Sequence, residues 1–235
     1  MKIARKDKLG YEVLCEAVFR PLAQLLVRVL APLRVPPPAV VLANAACALV
    51  AAGLLARGHF VASAVILQVK TVLDNADGQL ARTTGRVTAT GRYLDSLCDL
   101  ATNAAIFAAL GYVTGRPWLA LGSYLALTAV LSVNFTLDRL ARGAQAMPPG
   151  GGALAAVYGL LYAPQDRLAE RLFPAVRGRR ALTLSANFGL STQLAALGAC
   201  LALGRPSAYL AVPLLCALAL VPLARPGTAP VPEAL

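Results

Sequence analysis

Residues 74–99 read DNADGQLARTTGRVTATGRYLDSLCD, and the organisation of the whole chain follows from this segment. It holds four of the 11 Asp and Glu residues in a chain of 235, and the segments on both sides are apolar. The four are Asp74, Asp77, Asp95 and Asp99. A carboxylate in apolar surroundings is costly unless a cation compensates its charge. The segment therefore predicts a cation-binding site inside an otherwise apolar protein.

The spacing of the four aspartates places them on two helix faces. Asp74 and Asp77 are three positions apart, and Asp95 and Asp99 are four apart, so each pair shares one face of a helix. Two adjacent antiparallel helices would turn both pairs toward one point. Four carboxylates at one point suit Mg²⁺ or Mn²⁺. We expect two ions, because a single divalent ion would leave much of the negative charge uncompensated.

The segment between the two pairs, 78–92, is rich in Gly, Thr and Arg. Small residues let the backbone approach a ligand, and arginine binds phosphate oxygens through two parallel hydrogen bonds. Divalent cations, arginine and closely approaching backbone are the requirements of phosphoryl transfer. The segment therefore favours a phosphate-containing substrate.

The complete pattern, D-x2-D-G-x2-A-R-x8-G-x3-D-x3-D, resembles the signature of the CDP-alcohol phosphotransferases. All eight fixed positions are present: Asp74, Asp77, Gly78, Ala81, Arg82, Gly91, Asp95 and Asp99. The resemblance implies an all-α integral membrane fold with six spanning helices, the motif on the second and third, and a homodimer. It implies transfer of a phosphatidyl or similar group from a CDP-linked donor to an alcohol, with release of CMP.

The resemblance also implies roles for single residues. The metal ligands would be Asp74, Asp77, Asp95 and Asp99, and Asp99 would also take the proton of the acceptor alcohol as general base. Gly78 and Ala81 would let the nucleotide lie close to the second helix, and Arg82 would bind the diphosphate. The full set expected at the donor is Gly78, Ala81, Arg82, Thr88 and Gly91.

Candidate acceptor-binding residues lie outside the motif. Lys70 precedes Asp74 by four positions and shares its helix face, so we expect it to bind an anionic acceptor or to compensate the acids in the metal-free site. The alternative is a lysine that faces lipid and extends to the interface. Other polar residues on the helices could line the acceptor pocket or join helices: Asn103, Asn134, Asn187, Thr192 and Gln193.

The end of the fourth predicted span differs from one subfamily. The phosphatidylinositol-phosphate synthases, which share the motif, carry Lys or Arg near the cytoplasmic end of the fourth helix. This chain has 132–136 reading SVNFT there, and Arg139 is the first base, which makes Arg139 a further acceptor candidate. The difference argues against an inositol phosphate acceptor, while glycerol phosphate, inositol and other polar alcohols stay open.

Composition indicates an integral membrane protein. The chain is 58% hydrophobic and 14% charged, with a mean hydropathy of +0.65. Its net charge of +11 does not indicate nucleic acid, because the bases fall between apolar segments rather than on one face with aromatic residues. Membrane lipids and anionic substrates are the expected partners. Five scattered cysteines without a CxxC pair argue against a zinc site, and a single histidine at a short turn excludes imidazole catalysis.

The pattern of apolar segments divides the chain into three parts. Residues 1–34 predict an amphipathic helix in the membrane interface, with polar residues recurring every four positions. Residues 35–225 form the six-helix domain, which contains a cytoplasmic or interfacial segment at 138–180 with a helix near 154–173. Residues 226–235 are a Pro-containing loose tail. The predicted spans are 39–56, 60–81, 93–113, 118–137, 181–204 and 206–223.

The distribution of Lys and Arg predicts the orientation. Eighteen of the 22 fall before the first span, in the 82–92 hinge, in 138–180 or in the tail. Three fall in the opposite turns, and the last is Lys70. The positive-inside rule then places both termini and the mouth of the acidic site on the cytoplasmic side of the cell membrane.

A membrane-embedded site favours a lipid donor. We therefore expect CDP-diacylglycerol as donor and a polar alcohol as acceptor, in phospholipid biosynthesis. Two alternatives stay open. One is transfer from CDP-choline or CDP-ethanolamine to diacylglycerol, and the other is a transporter that uses the carboxylates for cation coupling.

Overall fold

The computed structural model describes residues 10–142, 152–173 and 178–224, and in these ranges it is all-helical, without strands. A π-helical turn, Cys15–Phe19, precedes the first helix, and a 3₁₀ turn, Val221–Ala224, follows the last. The helices are α1 Arg20–Leu30, α2 Pro37–Ala56, α3 Phe60–Thr83, α4 Ala89–Thr114, α5 Pro117–Ala141, α6 Ala153–Leu172, α7 Arg179–Ala186, α8 Leu190–Ala202, α9 Pro206–Tyr209 and α10 Ala211–Leu220.

Four segments of the described chain are long and apolar enough to cross a membrane. They are α2, α4, α5 and the segment Pro206–Ala224, which combines α9, α10 and the final turn. The predicted second span, α3, is not one of these four segments. It has 24 residues, but it carries Lys70, Asp74 and Asp77 in its apolar part. An integral membrane architecture is therefore supported, and the count of six spans stays a prediction.

The segment predicted as one fifth span, 181–204, is divided into α7 and α8. Asn187 lies at the break, and its side-chain amide donates to the carbonyls of Thr183 at 2.8 Å and Tyr11 at 2.7 Å. Its Oδ1 accepts from the backbone N–H of Val13 at 2.9 Å. Asparagine side chains that bond to backbone in this way compete with helix continuation. The break therefore anchors the N-terminal segment to the end of α7.

α1 packs against the site-bearing helix α3. Ala23 and Val27 are fully buried in a cluster with Ala76 of α3, whereas Leu25 and Val29 on the other side of α1 are exposed. By this pattern α1 itself is amphipathic, and a single amphipathic helix over the whole range 1–34 stays a prediction. Its position at a membrane interface stays a prediction, and residues 1–9, which carry the basic start of the chain, lie outside the described residues.

A second cluster joins the central helices. It is formed by apolar side chains of α2, α3, α4, α5, α8 and α9. α8 approaches α3 closely at Gly198, where a Cβ atom would lie 2.2 Å from Nε2 of Gln68. That amide donates to the carbonyl of Leu194 at 3.2 Å and fixes α8 on α3. These contacts hold the acidic face of α3 in place.

The segment 138–180 contains the predicted helix. α6 covers 153–172, close to the predicted 154–173, and it packs against α4 and α5. The Pro-Gly segment at 148–151, residues 174–177 and the predicted loose tail lie outside the described residues.

Candidate active site

α3 and α4 carry the motif and both pack against α2. A short hinge joins them, and it turns at Gly85, whose φ of 67° lies in the left-handed region that favours glycine. Thr88 begins α4 as its N-cap, because its Oγ1 accepts from the N–H of Gly91 at 3.0 Å. The hinge therefore brings the ends of α3 and α4 that carry the aspartates to the same end of the bundle.

Three of the predicted carboxylates converge. Oxygen atoms of Asp74, Asp95 and Asp99 all lie within 4.8 Å of one another. Asn44 of α2 donates to Oδ1 of Asp74 at 3.2 Å and orients it. The fourth aspartate, Asp77, lies one turn along α3 and is buried, with 6% of its surface exposed.

Lys70 lies inside this cluster. Its side chain is completely buried, and its Nζ atom is 2.7 Å from Oδ1 of Asp99 and 3.3 Å from Oδ1 of Asp74. The alternative of a lysine that faces lipid is therefore wrong. The ammonium group joins α3 to α4 and compensates two of the carboxylates.

The aspartates retain unused ligand atoms. Oδ2 of Asp77 and Oδ1 of Asp95 are buried and have no hydrogen-bond partner among the described residues. Buried polar atoms normally have a partner, and a cation between the helices would be one for these two oxygens. All the candidate ligand atoms are carboxylate oxygens, which is the donor set of a hard divalent ion. The residues therefore fit the metal that the sequence predicts.

Arg82 folds back over Gly78, one turn earlier on α3. A Cβ atom at Gly78 would lie 3.3 Å from Nη1 of Arg82, so any larger residue would crowd the guanidinium group. Nε of Arg82 is buried and has no partner in the described chain. Ala81 is half-buried beside it, and Gly91 is half-buried at the start of α4. Gly78 and Arg82 therefore form a small surface next to Asp77, and the N–H groups of Arg82 are its hydrogen-bond donors.

A cavity of about 170 Å³ opens on the other flank of the acids. It lies between α4, α5 and α6, and Asp95 and Asp99 form part of its wall. Its remaining lining residues are Ser96, Leu100, Asn103, Tyr124, Thr128, Leu131, Ser132, Phe135, Tyr158, Tyr162 and Asp166. The cavity therefore gives a small molecule direct access to Asp99.

α6 supplies three polar side chains to this cavity. Tyr162 donates its hydroxyl to the carbonyl of Ser96 at 2.9 Å, and Asp166 accepts from Ser132 at 3.1 Å. The ring of Tyr158 stacks on Tyr162, with centroids 4.7 Å apart. Burial raises the pKa of Tyr158 to about 12, so its phenol is neutral at physiological pH. Burial also raises the pKa of Asp166, and the bond from Ser132 opposes this rise.

The comparison with known protein families matches the model of the CDP-alcohol phosphatidyltransferase family over residues 34–221. The chain belongs to this family. Its helical spans and the matched region identify it as an integral membrane protein of the CDP-alcohol phosphatidyltransferase type. Family membership also agrees with the metal-fitting aspartates, since this family is metal-dependent.

Two curated relatives share about half of the chain. A protein of Rubrobacter xylanophilus described as a bifunctional IPC transferase and DIPP synthase is 31% identical over 112 residues, 48% of this chain and 26% of the relative. A phosphatidylinositol phosphate synthase of Corynebacterium glutamicum is 30% identical over 120 residues, 51% of this chain and 50% of the relative. The matched region therefore spans half or less of either relative. No solved structure gave a significant match.

The candidate acceptor residues are distributed over several places in the fold. Asn103 lines the cavity beside Asp99, as expected of an acceptor-pocket residue. Asn134 instead faces a second cavity of about 160 Å³ and accepts from Ser185 at 3.4 Å. Arg139 forms an ion pair with Glu170 of α6. Neither Asn134 nor Arg139 lines the first cavity. Asn134 lies between the cavity residues Ser132 and Phe135 but faces the second cavity, and Arg139 lies one turn beyond Phe135 on α5.

The remaining polar candidates join elements of the fold. Asn187 holds the N-terminal segment, and Thr192 donates to Oε1 of Glu12 at 3.4 Å. Gln193 is buried, with 2% of its surface exposed. These residues therefore act as helix contacts and lie outside the first cavity.

The sequence interpretation missed the contribution of α6. Tyr158, Tyr162 and Asp166 are spaced by four residues and share one face of the helix, which is a signal of a functional face. The sequence of this segment indicates only a cytoplasmic or interfacial location. Its tyrosines and acid suit an aqueous interface equally well, so only the packing on α4 and α5 identifies the cavity.

Proposed function

We propose that this protein transfers a phosphatidyl group from CDP-diacylglycerol to a polar alcohol, with release of CMP, in phospholipid biosynthesis. The observation that carries the proposal is the cluster of Asp74, Asp95 and Asp99 at the wall of a small cavity. Membership of the CDP-alcohol phosphatidyltransferase family and both relatives support this reaction class. The choice of a lipid donor rests on the position of the cluster among apolar helices.

The divalent metal, Mg²⁺ or Mn²⁺, would be held by Asp74, Asp77, Asp95 and Asp99. When bound, it neutralises the diphosphate and stabilises the charge of the leaving phosphate. Asn44 orients Asp74 for this purpose, and Lys70 compensates the carboxylates before the metal is present. The unpartnered oxygens of Asp77 and Asp95 support the assignment.

The donor would be bound on the Gly78 side of the acids. Gly78 leaves space beside α3, and Arg82 above it has an unpartnered Nε that suits a diphosphate oxygen. Ala81 continues this small-residue surface. Thr88 and Gly91 form the cap of α4 and hold the hinge that brings α4 to the donor.

Asp99 would act as the general base. It lies on the cavity wall, so an acceptor hydroxyl in the cavity can give its proton to this carboxylate. The acceptor oxygen then bonds to the lipid-linked phosphorus, and the bond from this phosphorus to CMP breaks. CMP leaves with the electron pair, and fixed positioning of the two substrates lowers the barrier.

The assay that tests the function measures CMP release by purified protein in detergent, with CDP-diacylglycerol, Mg²⁺ and a panel of alcohols. We expect CMP with at least one acceptor and its loss in Asp99→Asn. Asp138→Asn is the matched control, because this carboxylate pairs with Arg142 and lies outside the cavity by Asp99. CMP release that survives in Asp99→Asn contradicts the proposed base.

Absence of CMP with every acceptor would contradict the lipid donor. The same assay with CDP-choline or CDP-ethanolamine and diacylglycerol then distinguishes the second donor type. Metal-dependent flux without any CMP would instead support a transporter. We expect the active form to be a homodimer with its site open to the cytoplasm, and cross-linking in vesicles of native lipid tests the dimer.

A further inference from the structure

The cavity beside Asp99 differs in place from the donor surface. Its walls come from α4, α5 and α6, and no described residue of α3 lines it. Gly78 and Arg82, which form the donor surface, belong to α3. At about 170 Å³ the cavity is smaller than typical pockets for drug-sized ligands, so it suits a small acceptor rather than a lipid.

The hydroxyl groups on the cavity wall are mostly committed as donors. Tyr124, Thr128 and Tyr162 each donate to a backbone carbonyl, at 3.1, 2.9 and 2.9 Å respectively. Ser132 donates to Asp166 at 3.1 Å. A hydroxyl whose hydrogen is used in this way retains only lone pairs. The wall therefore mainly offers acceptors, and a ligand must bring the hydrogen-bond donors.

The charge of the cavity wall also favours a ligand that donates hydrogen bonds. Asp166 lies on the wall and is not one of the proposed metal ligands, and no Lys or Arg is among the described residues that line the cavity. Arg139, in the last turn of α5, forms an ion pair with Glu170. A phosphate ester has oxygens that only accept hydrogen bonds and carries negative charge, so it would meet both lone pairs and the carboxylate of Asp166. A polyhydroxyl compound brings donors and no charge.

We propose that the acceptor is an uncharged polyhydroxyl alcohol and that Asp166 of α6 is a specificity-determining residue, which binds its hydroxyls and repels phosphorylated analogues. The proposal rests on the proposed transfer to an alcohol. Asp166 acts through direct contact with the acceptor, while Tyr158 and Tyr162 shape the cavity around it. The amide of Asn103 and the hydroxyls of Ser96 and Tyr158 remain as donors for the acceptor's own oxygens.

The test compares matched pairs of acceptors that differ by one phosphate: inositol with inositol phosphate, and glycerol with glycerol 3-phosphate. CMP release is measured with CDP-diacylglycerol and Mg²⁺. We expect kcat/KM to favour the unphosphorylated member of the preferred pair by at least about tenfold. Asp166→Asn should reduce this preference about tenfold, whereas Asp166→Glu, which keeps the charge, and Asp138→Asn should retain it.

Equilibrium dialysis keeps the acceptor proposal separate from the reaction. Radiolabelled inositol and inositol phosphate are dialysed against the full chain with Mg²⁺ and without donor. Tighter binding of inositol, lost in Asp166→Asn, supports the proposal even where CDP-diacylglycerol gives no CMP. Preference of the wild type for phosphorylated acceptors, or an unchanged preference in Asp166→Asn, overturns it.

Discussion

At the scale of single residues, Lys70 is the unusual feature of the site. A fully buried ammonium group is tolerated only with good partners, and here Asp74 and Asp99 supply them at 3.3 and 2.7 Å. The sequence located Lys70 on the acidic face from its spacing alone. It could not show that the ammonium reaches α4, because that contact depends on how α3 and α4 pack.

Lys70→Met should destabilise the metal-free protein. Removing one partner of a buried ion pair typically costs about 3–5 kcal/mol, since the remaining charges are left uncompensated. A bound divalent cation supplies positive charge to the same carboxylates. We therefore expect the melting temperature of Lys70→Met to fall clearly in EDTA and to recover in excess Mg²⁺, by more than the wild type gains.

Thermal unfolding in detergent, followed by tryptophan fluorescence, measures this difference. Arg116→Met is the matched control, because it removes a base from an exposed turn. Equal Mg²⁺ responses of Lys70→Met and wild type would show that the lysine does not compensate the metal-binding carboxylates. The acceptor KM of Lys70→Met tests separately whether this residue binds an anionic acceptor.

Gly78 sets the position of Arg82. A methyl group at this position would lie 3.3 Å from Nη1 of Arg82, so the guanidinium group must shift by a few tenths of an ångström from its place over Gly78. We expect Gly78→Ala to lower kcat/KM for the donor about tenfold, equivalent to about 1.4 kcal/mol, with little change in melting temperature. Gly53→Ala on α2 is the control, since its Cβ would meet nothing within 4 Å. Unchanged donor kinetics in Gly78→Ala would argue against this role of Arg82.

At the scale of elements, the motif helices were predictable and their neighbours were less so. The spans predicted at 60–81 and 93–113 correspond to α3 and α4, because apolar segments and turn residues specify helices locally. The break at Asn187 was not predictable, since its partner Tyr11 is distant in sequence. Long-range contacts of single polar side chains leave no periodic signal.

The contact of α6 with the site was also not predictable from sequence, because it depends on packing between distant segments. This contact leads to a prediction about Tyr162. Tyr162 connects α6 to α4 through its bond to the Ser96 carbonyl, between Asp95 and Asp99. Tyr162→Phe keeps the ring and removes this bond, whose net value is about 1 kcal/mol. We expect the acceptor KM to rise about fivefold while the donor KM is unchanged. Tyr112→Phe, an exposed tyrosine on α4, is the control, and a change in donor KM alone would contradict the placement of α6 at the acceptor.

At the scale of the whole molecule, the distribution of charge predicts the orientation in the membrane. The hinge between α3 and α4 and the helix ends beside it contain Arg82, Arg86 and Arg92, whereas the turns at Arg57, Arg116 and Arg205 each contain one base. The hinge lies at the end of the bundle that carries the aspartates, so its side of the membrane is also the side of the site. The positive-inside rule predicts that the hinge lies on the cytoplasmic side. CDP-linked donors would then enter the site from that side.

Cysteine accessibility tests this orientation. In a chain whose five native cysteines are replaced, Arg86→Cys should react with a membrane-impermeant maleimide only in inside-out vesicles, and Arg116→Cys only in right-side-out vesicles. Both residues are exposed in the fold, so protein burial does not prevent labelling. The reverse pattern would place the aspartates at the outer face, where a cytoplasmic CDP-linked donor could not reach Arg82. The same vesicles, supplied with donor on one side at a time, show whether CMP is released on the side that labels Arg86→Cys.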